Sequence, residues 1–208
     1  MATRPVKVAI IFYSSTGTIL EMARTAEETA KAAGAEVRFV RARELAPAEA
    51  IAGNPAWQAN VERMEAEGIA EATPDDIEWA DVVLFGTPTR YGAVAAQLKQ
   101  YIDGLGPLWQ RGALADKVYA GFTSSSTQHG GQETTLLTLY NNVIHFGGII
   151  VAPGYTHPSK FVDGNPYGAS HVGGGAGELP VGDTTRQAVR HETERAIAVS
   201  SKLIVPVD

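Results

Sequence analysis

Residues 6–18 read V-K-V-A-I-I-F-Y-S-S-T-G-T, and the architecture of the whole chain follows from them. Val6 to Tyr13 is almost unbroken in apolar and aromatic character. The chain then turns abruptly into small hydroxyl residues around Gly17. A Val- and Ile-rich run without polar alternation is a strand buried on both faces, as in a parallel sheet covered by helices. Ser14, Ser15, Thr16 and Thr18 supply hydroxyls after it, and Gly17 lets the backbone turn tightly. Thr18 and Glu21 have capping-box spacing, while Ile19, Met22, Ala23, Ala26, Ala30 and Ala33 recur at helical spacing. Strand, hydroxyl loop and helix N-terminus make an anion site, on which free N–H groups and the positive end of the helix dipole converge. No Lys follows the glycine and there is no G-x-G-x-x-G, so neither the nucleotide triphosphatase loop nor the dinucleotide cradle is present. A terminal monophosphate held by neutral hydroxyls and amides fits best. The alternative left open by this stretch alone is an ordinary polar turn.

Outward from that loop, the chain alternates strands and helices. Glu36 to Arg41 alternates polar and apolar, as a strand near a sheet edge does. Glu44 to Ala52 suits a short helix. From Gly53 to Gly68 the pattern weakens and predicts no element. Thr73-Pro74-Asp75-Asp76 reads as a helix start. Asp81 to Phe85 is a buried strand that breaks at Gly86 to Gly92, before a helix from about Ala95 to Ile102. Lys117 to Thr123 makes a fourth strand. A polar loop then leads to a helix ending near His145, with Leu136, Leu137, Tyr140, Val143 and Ile144 on its apolar stripe. Gly148 to Ala152 is a fifth strand and Asp183 to Leu203 a closing helix.

Such alternation predicts a parallel sheet wound by right-handed crossovers. The expected class is α/β: a flavodoxin-like three-layer sandwich with a five-stranded parallel sheet in the order 2-1-3-4-5 and helices on both faces. In that order ligands sit beyond the carboxyl ends of strands one and three. The polar loops follow strands one, three and four, so all three open on that edge. Gly154 to Gly182 shows neither period and contains a glycine-dense tract at residues 173–177. It reads as a long functional or interface loop that packs on a partner through Phe161, Tyr167 and its prolines.

At 208 residues, 44% hydrophobic and 19% charged, the chain reads as one globular domain over residues 1–208. It has no Cys, which excludes thiolate catalysis, disulfides and Cys-ligated metal. Five scattered His lack metal-ligand spacing, so no metal site is expected. A net charge of −6 without a basic cluster gives nucleic acid no electrostatic footing. Residues 1–5 lead straight toward the first strand, and no secretory leader is expected there. No apolar run approaches the length of about 20 residues that spans a bilayer. A cytoplasmic location and no membrane partner are therefore expected.

With those loops laid out, the chain resembles the WrbA-type NAD(P)H:quinone oxidoreductases, which are flavodoxin-like FMN proteins. The matching pieces are S-S-T-G-T-I from Ser14, F-G-T-P-T-R-Y-G from Phe85 to Gly92, and P-L-W ending at Trp109. H-G-G-Q-E-T-T from His129, H-F-G-G-I-I-V from His145 and P-Y-G-A-S from Pro166 complete the set, which covers essentially the whole chain. The resemblance implies non-covalent FMN, with NADH or NADPH as electron donor and a quinone as acceptor. Ser14, Ser15, Thr16, Gly17, Thr18 and Ile19 would hold the ribityl phosphate. Pro88, Thr89, Arg90, Tyr91 and Gly92 would flank the isoalloxazine, as would Ser124, Ser125, Ser126, Thr127, Gln128 and Gly131. His145 would approach the flavin, and Trp109 would border the space where nicotinamide or quinone stacks. Thr16 stands where many relatives have an aromatic residue associated with the pyridine nucleotide. It is therefore also a candidate substrate contact, and the choice between NADH and NADPH stays open.

The resemblance further implies two-electron reduction of quinone by hydride relay in a ping-pong cycle, and a homotetramer with sites at subunit contacts. No side chain is assigned a catalytic acid–base role, because the cofactor carries the chemistry. Two other readings remain: a one-electron flavodoxin-type carrier, and a non-enzymatic FMN-bound regulatory or scaffold protein. Plainer roles also exist for single residues. Arg90 also reads as a solvated surface cation, Tyr91 as core packing, Trp109 as an interface or core aromatic and His145 as a helix C-terminal cap.

Overall fold

β1, Lys7–Phe12, lies between β2, Glu36–Arg41, and β3, Val82–Pro88, and all three run parallel. The computed structural model describes residues 4–204; residues 1–3, part of the expected lead into β1, and residues 205–208 fall outside it. β4, Val118–Ser125, follows β3, and β5, Ile149–Ile150, closes the order β2-β1-β3-β4-β5. The expected order 2-1-3-4-5 is present. β6, Ser170–Val172, is an additional strand: it pairs in parallel with β4 from Thr123 to Ser125, beyond the stretch where β5 pairs with Val118 and Tyr119.

Because both faces of β1 are covered, its successive side chains enter two different cores. Val8, Ile10 and Phe12 join residues of α1, Thr18–Ala32, and α9, Asp183–Leu203. Ala9 and Ile11 face the opposite layer of α4, Pro74–Trp79, α5, Ala96–Asp103, and α7, Gln132–Phe146. Each fully buried Ile of this strand contributes roughly 1.5–3 kcal/mol of hydrophobic stabilisation. α2, Ala48–Ala52, α3, Pro55–Ala66, α6, Gly106–Gln110, and α8, Pro158–Asp163, complete the chain. None of the described helices is long and apolar enough to cross a membrane.

Six local expectations are corrected. Thr18 and Glu21 form no capping box: Gly17 at φ +103° is the N-cap and Thr18 already the first helical residue. Glu21 instead pairs with Arg63 at 2.8 Å, while the Ser14 Oγ accepts the Leu20 N–H at 3.2 Å. Residues 53–68, read as featureless, contain α3. It starts where Asn54 Oδ1 accepts the N–H groups of Ala56 and Trp57, with Pro55 in the first turn. Only Asn60 and Met64 are buried along it, which is why no apolar period shows. On α7, Leu137 and Ile144 are exposed and Leu139 is buried in their stead; Ala33 likewise falls beyond α1 and is exposed. The short second helix begins at Ala48 rather than Glu44. Residues 154–182 are not structureless, since they carry α8 and β6.

Candidate functional site

The first loop sits at the carboxyl end of β1 with its backbone donors free. Among the described residues, the N–H groups from Ser15 to Ile19 donate to no other group. The carbonyls are turned away instead: Asn60 Nδ2 donates to Ser14 O at 2.9 Å and to Ser15 O at 3.0 Å. Ser14 and Ile19 are themselves buried, Ile19 in the core beneath the loop. Unpaired amides at the start of a 15-residue helix add to the dipole of that helix. The loop is thus polarised to attract an anion.

A cavity of about 270 Å³ opens above these donors. Ser15, Thr16 and Thr18 form one wall, and Pro88, Thr89 and Arg90 after β3 form the next. Ser124 to Ser126, at the end of β4, make a third wall. Three walls expected from sequence thus meet at one rim. Arg90 bridges two of them, donating to Thr89 O at 2.9 Å and to Ser15 Oγ at 3.3 Å. The loops after β3 and β4 dock glycine against glycine, so a Cβ on Gly131 would fall 2.9 Å from the Gly92 Cα. Gly92 N–H donates to Thr89 Oγ1 at 3.1 Å, and the Thr135 hydroxyl donates to the same oxygen at 2.8 Å.

Tyr91 is held in the left-handed region at φ +53° with its side chain fully exposed. A non-glycine residue in that conformation costs about 1–2 kcal/mol, and such strain concentrates at functional positions. Thr127 and Gln128 are exposed, and their carbonyls are fixed by Gln132 Nε2 at 3.1 Å each. Gln128 borders a separate cavity with Gln132 and His171 rather than the first.

Two walls were not legible as such. Gly173 to Gly177, following β6, line the cavity, and a Cβ at Gly177 would sit 2.8 Å from Thr16 Oγ1. The tract is tied down by the Gly173 N–H donating to Ser125 O at 2.8 Å. Part of the long segment therefore packs on its own chain. Asn54, the N-cap of α3, and Trp57 within it form the last side. Glu44 anchors that side, accepting from Trp57 Nε1 and Tyr13 Oη at 3.0 Å and from Gln97 Nε2 at 2.7 Å. Burial would push the Glu44 carboxyl up, but the hydrogen bonds from Ala46 N–H, Gln97, Leu45 N–H and Tyr13 outweigh it and hold it below its ordinary value. The Asn54-Pro55 pair, a cap followed by proline, is the signal that could have revealed α3.

His145 and Trp109 are not at this rim. They meet each other, Trp109 Nε1 donating to His145 O at 2.8 Å, beside a shallow cavity with Asn142 and Phe146. His145 lies in the last turn of α7 before the left-handed Gly147, where a cation complements the dipole. Gly131, at the rim, caps the opposite end of the same 15-residue helix, about 20 Å away at 1.5 Å per residue. Among the described residues no group of three His, Asp or Glu is arranged to hold a metal ion.

The NADPH-dependent FMN reductase family matches residues 6–161 of this chain. A protein of Deinococcus radiodurans called NAD(P)H dehydrogenase (quinone) is 46% identical over 203 residues, covering 97% of this chain and 99% of that protein. A protein of the same name from Azorhizobium caulinodans is 40% identical over 202 residues, covering 95% and 98%. Among solved structures, the flavodoxin-like WrbA-like protein of Agrobacterium tumefaciens superposes with a TM-score of 0.64 at 22% identity, over 95% of this chain and 98% of that one. That last likeness concerns the fold, which is flavodoxin-like. With relatives matched along nearly their full length, the chain belongs to the NADPH-dependent FMN reductase family.

Proposed function

We propose that this protein is an oxidoreductase that holds FMN at the β-strand rim and uses NAD(P)H to reduce quinones. The observation that carries the reading is the row of unpaired amides from Ser15 to Ile19 at the N-terminus of α1. The donor set fits FMN: hydroxyls and amides suit a terminal phosphate, and Arg90 is the one cation among the lining residues. Bound there, the flavin supplies the hydride chemistry. The chain's own residues do the rest. Ser15, Thr16 and Thr18 hold the phosphate, and Pro88, Thr89 and the strained Tyr91 border the ring. Arg90, already donating to Ser15, brings positive charge to a site whose electron load increases on reduction. Gly173 to Gly177 close the cavity where side chains would fill it.

One cavity serves both substrates in turn: the oxidised nucleotide leaves before the quinone enters, and two electrons pass without a one-electron stage. Trp109 and His145 take part only from another copy of the chain. Trp109 is 55% exposed, and Leu137 and Ile144 of α7 are exposed as well, so this surface suits a homotetramer in which it borders a neighbour's cavity.

The deciding experiment is an absorption spectrum of the purified protein with and without added FMN, followed by NAD(P)H oxidation in the presence of benzoquinone. Bound yellow flavin and quinone-dependent turnover are expected. A colourless protein that takes up no FMN overturns the reading, and flavin without turnover makes the protein a carrier instead.

A further inference from the structure

The buried side of the first loop is held by a residue of α3. Asn60, in the middle of α3, is 5% exposed, and its side chain spends both amide hydrogens on consecutive backbone carbonyls, Ser14 O and Ser15 O. Only the NH2 end of an Asn can donate to two carbonyls, so the amide orientation is fixed by its partners. In a trans peptide the N–H of one residue points opposite to the carbonyl of the residue before it. Pinning the Ser14 and Ser15 carbonyls toward α3 therefore aims the Ser15 and Thr16 N–H groups the other way, toward the cavity. It also keeps two carbonyl dipoles from presenting their negative ends to an anion.

The remaining atom strengthens the case. Asn60 Oδ1 is buried and has no partner among the described residues, which is a costly way to fill a core position. It lies 3.4 Å from where a Cβ on Gly17 would stand, so the side chain spans the loop from its first carbonyl to its glycine. An apolar residue would fill the same space without a stranded acceptor. What it could not do is orient the two carbonyls.

We infer that Asn60 is a positioning residue that aims the first loop's amides at the terminal phosphate, and so sets the preference for FMN over riboflavin. This rests on the proposed reading of the loop as a phosphate cradle. The test is titration of the flavin-free, full-length protein with FMN and with riboflavin, followed by quenching of flavin fluorescence. Wild type is compared with Asn60→Leu, which keeps the volume, and Asn60→Asp, which keeps the shape. Wild type should bind FMN more tightly than riboflavin. Asn60→Leu should weaken FMN on the order of ten- to a hundredfold, the loss of two hydrogen bonds to the loop, with riboflavin changed no more than about twofold. Asn60→Asp should weaken FMN further, because a carboxylate adds negative charge beside the anion. If Asn60→Leu fails to fold, the near-isosteric Asn60→Asp carries the same comparison. Equal loss of both flavins, or an unchanged FMN preference in the variants, overturns the role of Asn60. No FMN preference in wild type overturns the phosphate cradle itself.

Discussion

Gly17 is the residue on which the first loop has least freedom. Its φ of +103° is open to glycine and closed to β-branched residues, and the Asn60 amide stands beside it. Gly17→Val should therefore destabilise the fold by about 1–2 kcal/mol and strip bound flavin, read as lost visible absorbance in the folded fraction. Flavin content equal to wild type would refute the phosphate assignment. The hydroxyls and glycine of this loop were legible because their chemistry is written in consecutive residues. Asn60 was not, because its function depends on a contact across 45 positions of sequence. Tyr91 was legible as an aromatic beside a glycine, but not as a strained and fully exposed one.

β6 shows how a short element can matter beyond its size. It carries the glycine tract to the cavity and is held from below by α9, whose Glu192 accepts the Ala169 N–H at 3.0 Å. Glu192 is buried, with Lys160 and Asp163 of α8 as its charged neighbours. Burial pushes its carboxyl up to about 8 from an ordinary 4.5. The folded protein thus holds a proton that the unfolded chain releases, so this contribution is complete below about pH 4.5 and is lost as pH rises through about 8. Glu192→Gln keeps the acceptor for Ala169 and removes the titration. Its melting temperature should exceed that of wild type by on the order of 5 °C at pH 8 and converge with it near pH 5; parallel profiles would contradict this. Strand β2 and helix α9 match their sequence-read bounds residue for residue, since a clear period runs through each. α3, α8 and β6 escaped because each is short or mostly polar, and a six-residue helix or a three-residue strand cannot establish a period.

At the scale of the whole molecule, Trp109 and His145, which the resemblance set beside the flavin and its substrates, lie at the end of α7 opposite the cavity. The proposed action from another copy of the chain accounts for this placement, and a single chain's sequence carries no mark of it. Trp109→Ala should leave FMN binding intact and raise the KM for nicotinamide nucleotide or quinone, with the mass by light scattering unchanged from wild type. Loss of flavin would instead assign Trp109 to the cofactor site of its own chain. The cavity walls also have a consequence for biosynthesis. They are drawn from Ser15, Thr16 and Thr18, just after β1, and from residues 173–177, just after β6. Synthesis must therefore run past β6 before the two can face each other, and a message cut short after β4 leaves the first loop's amides without the glycine tract opposite them.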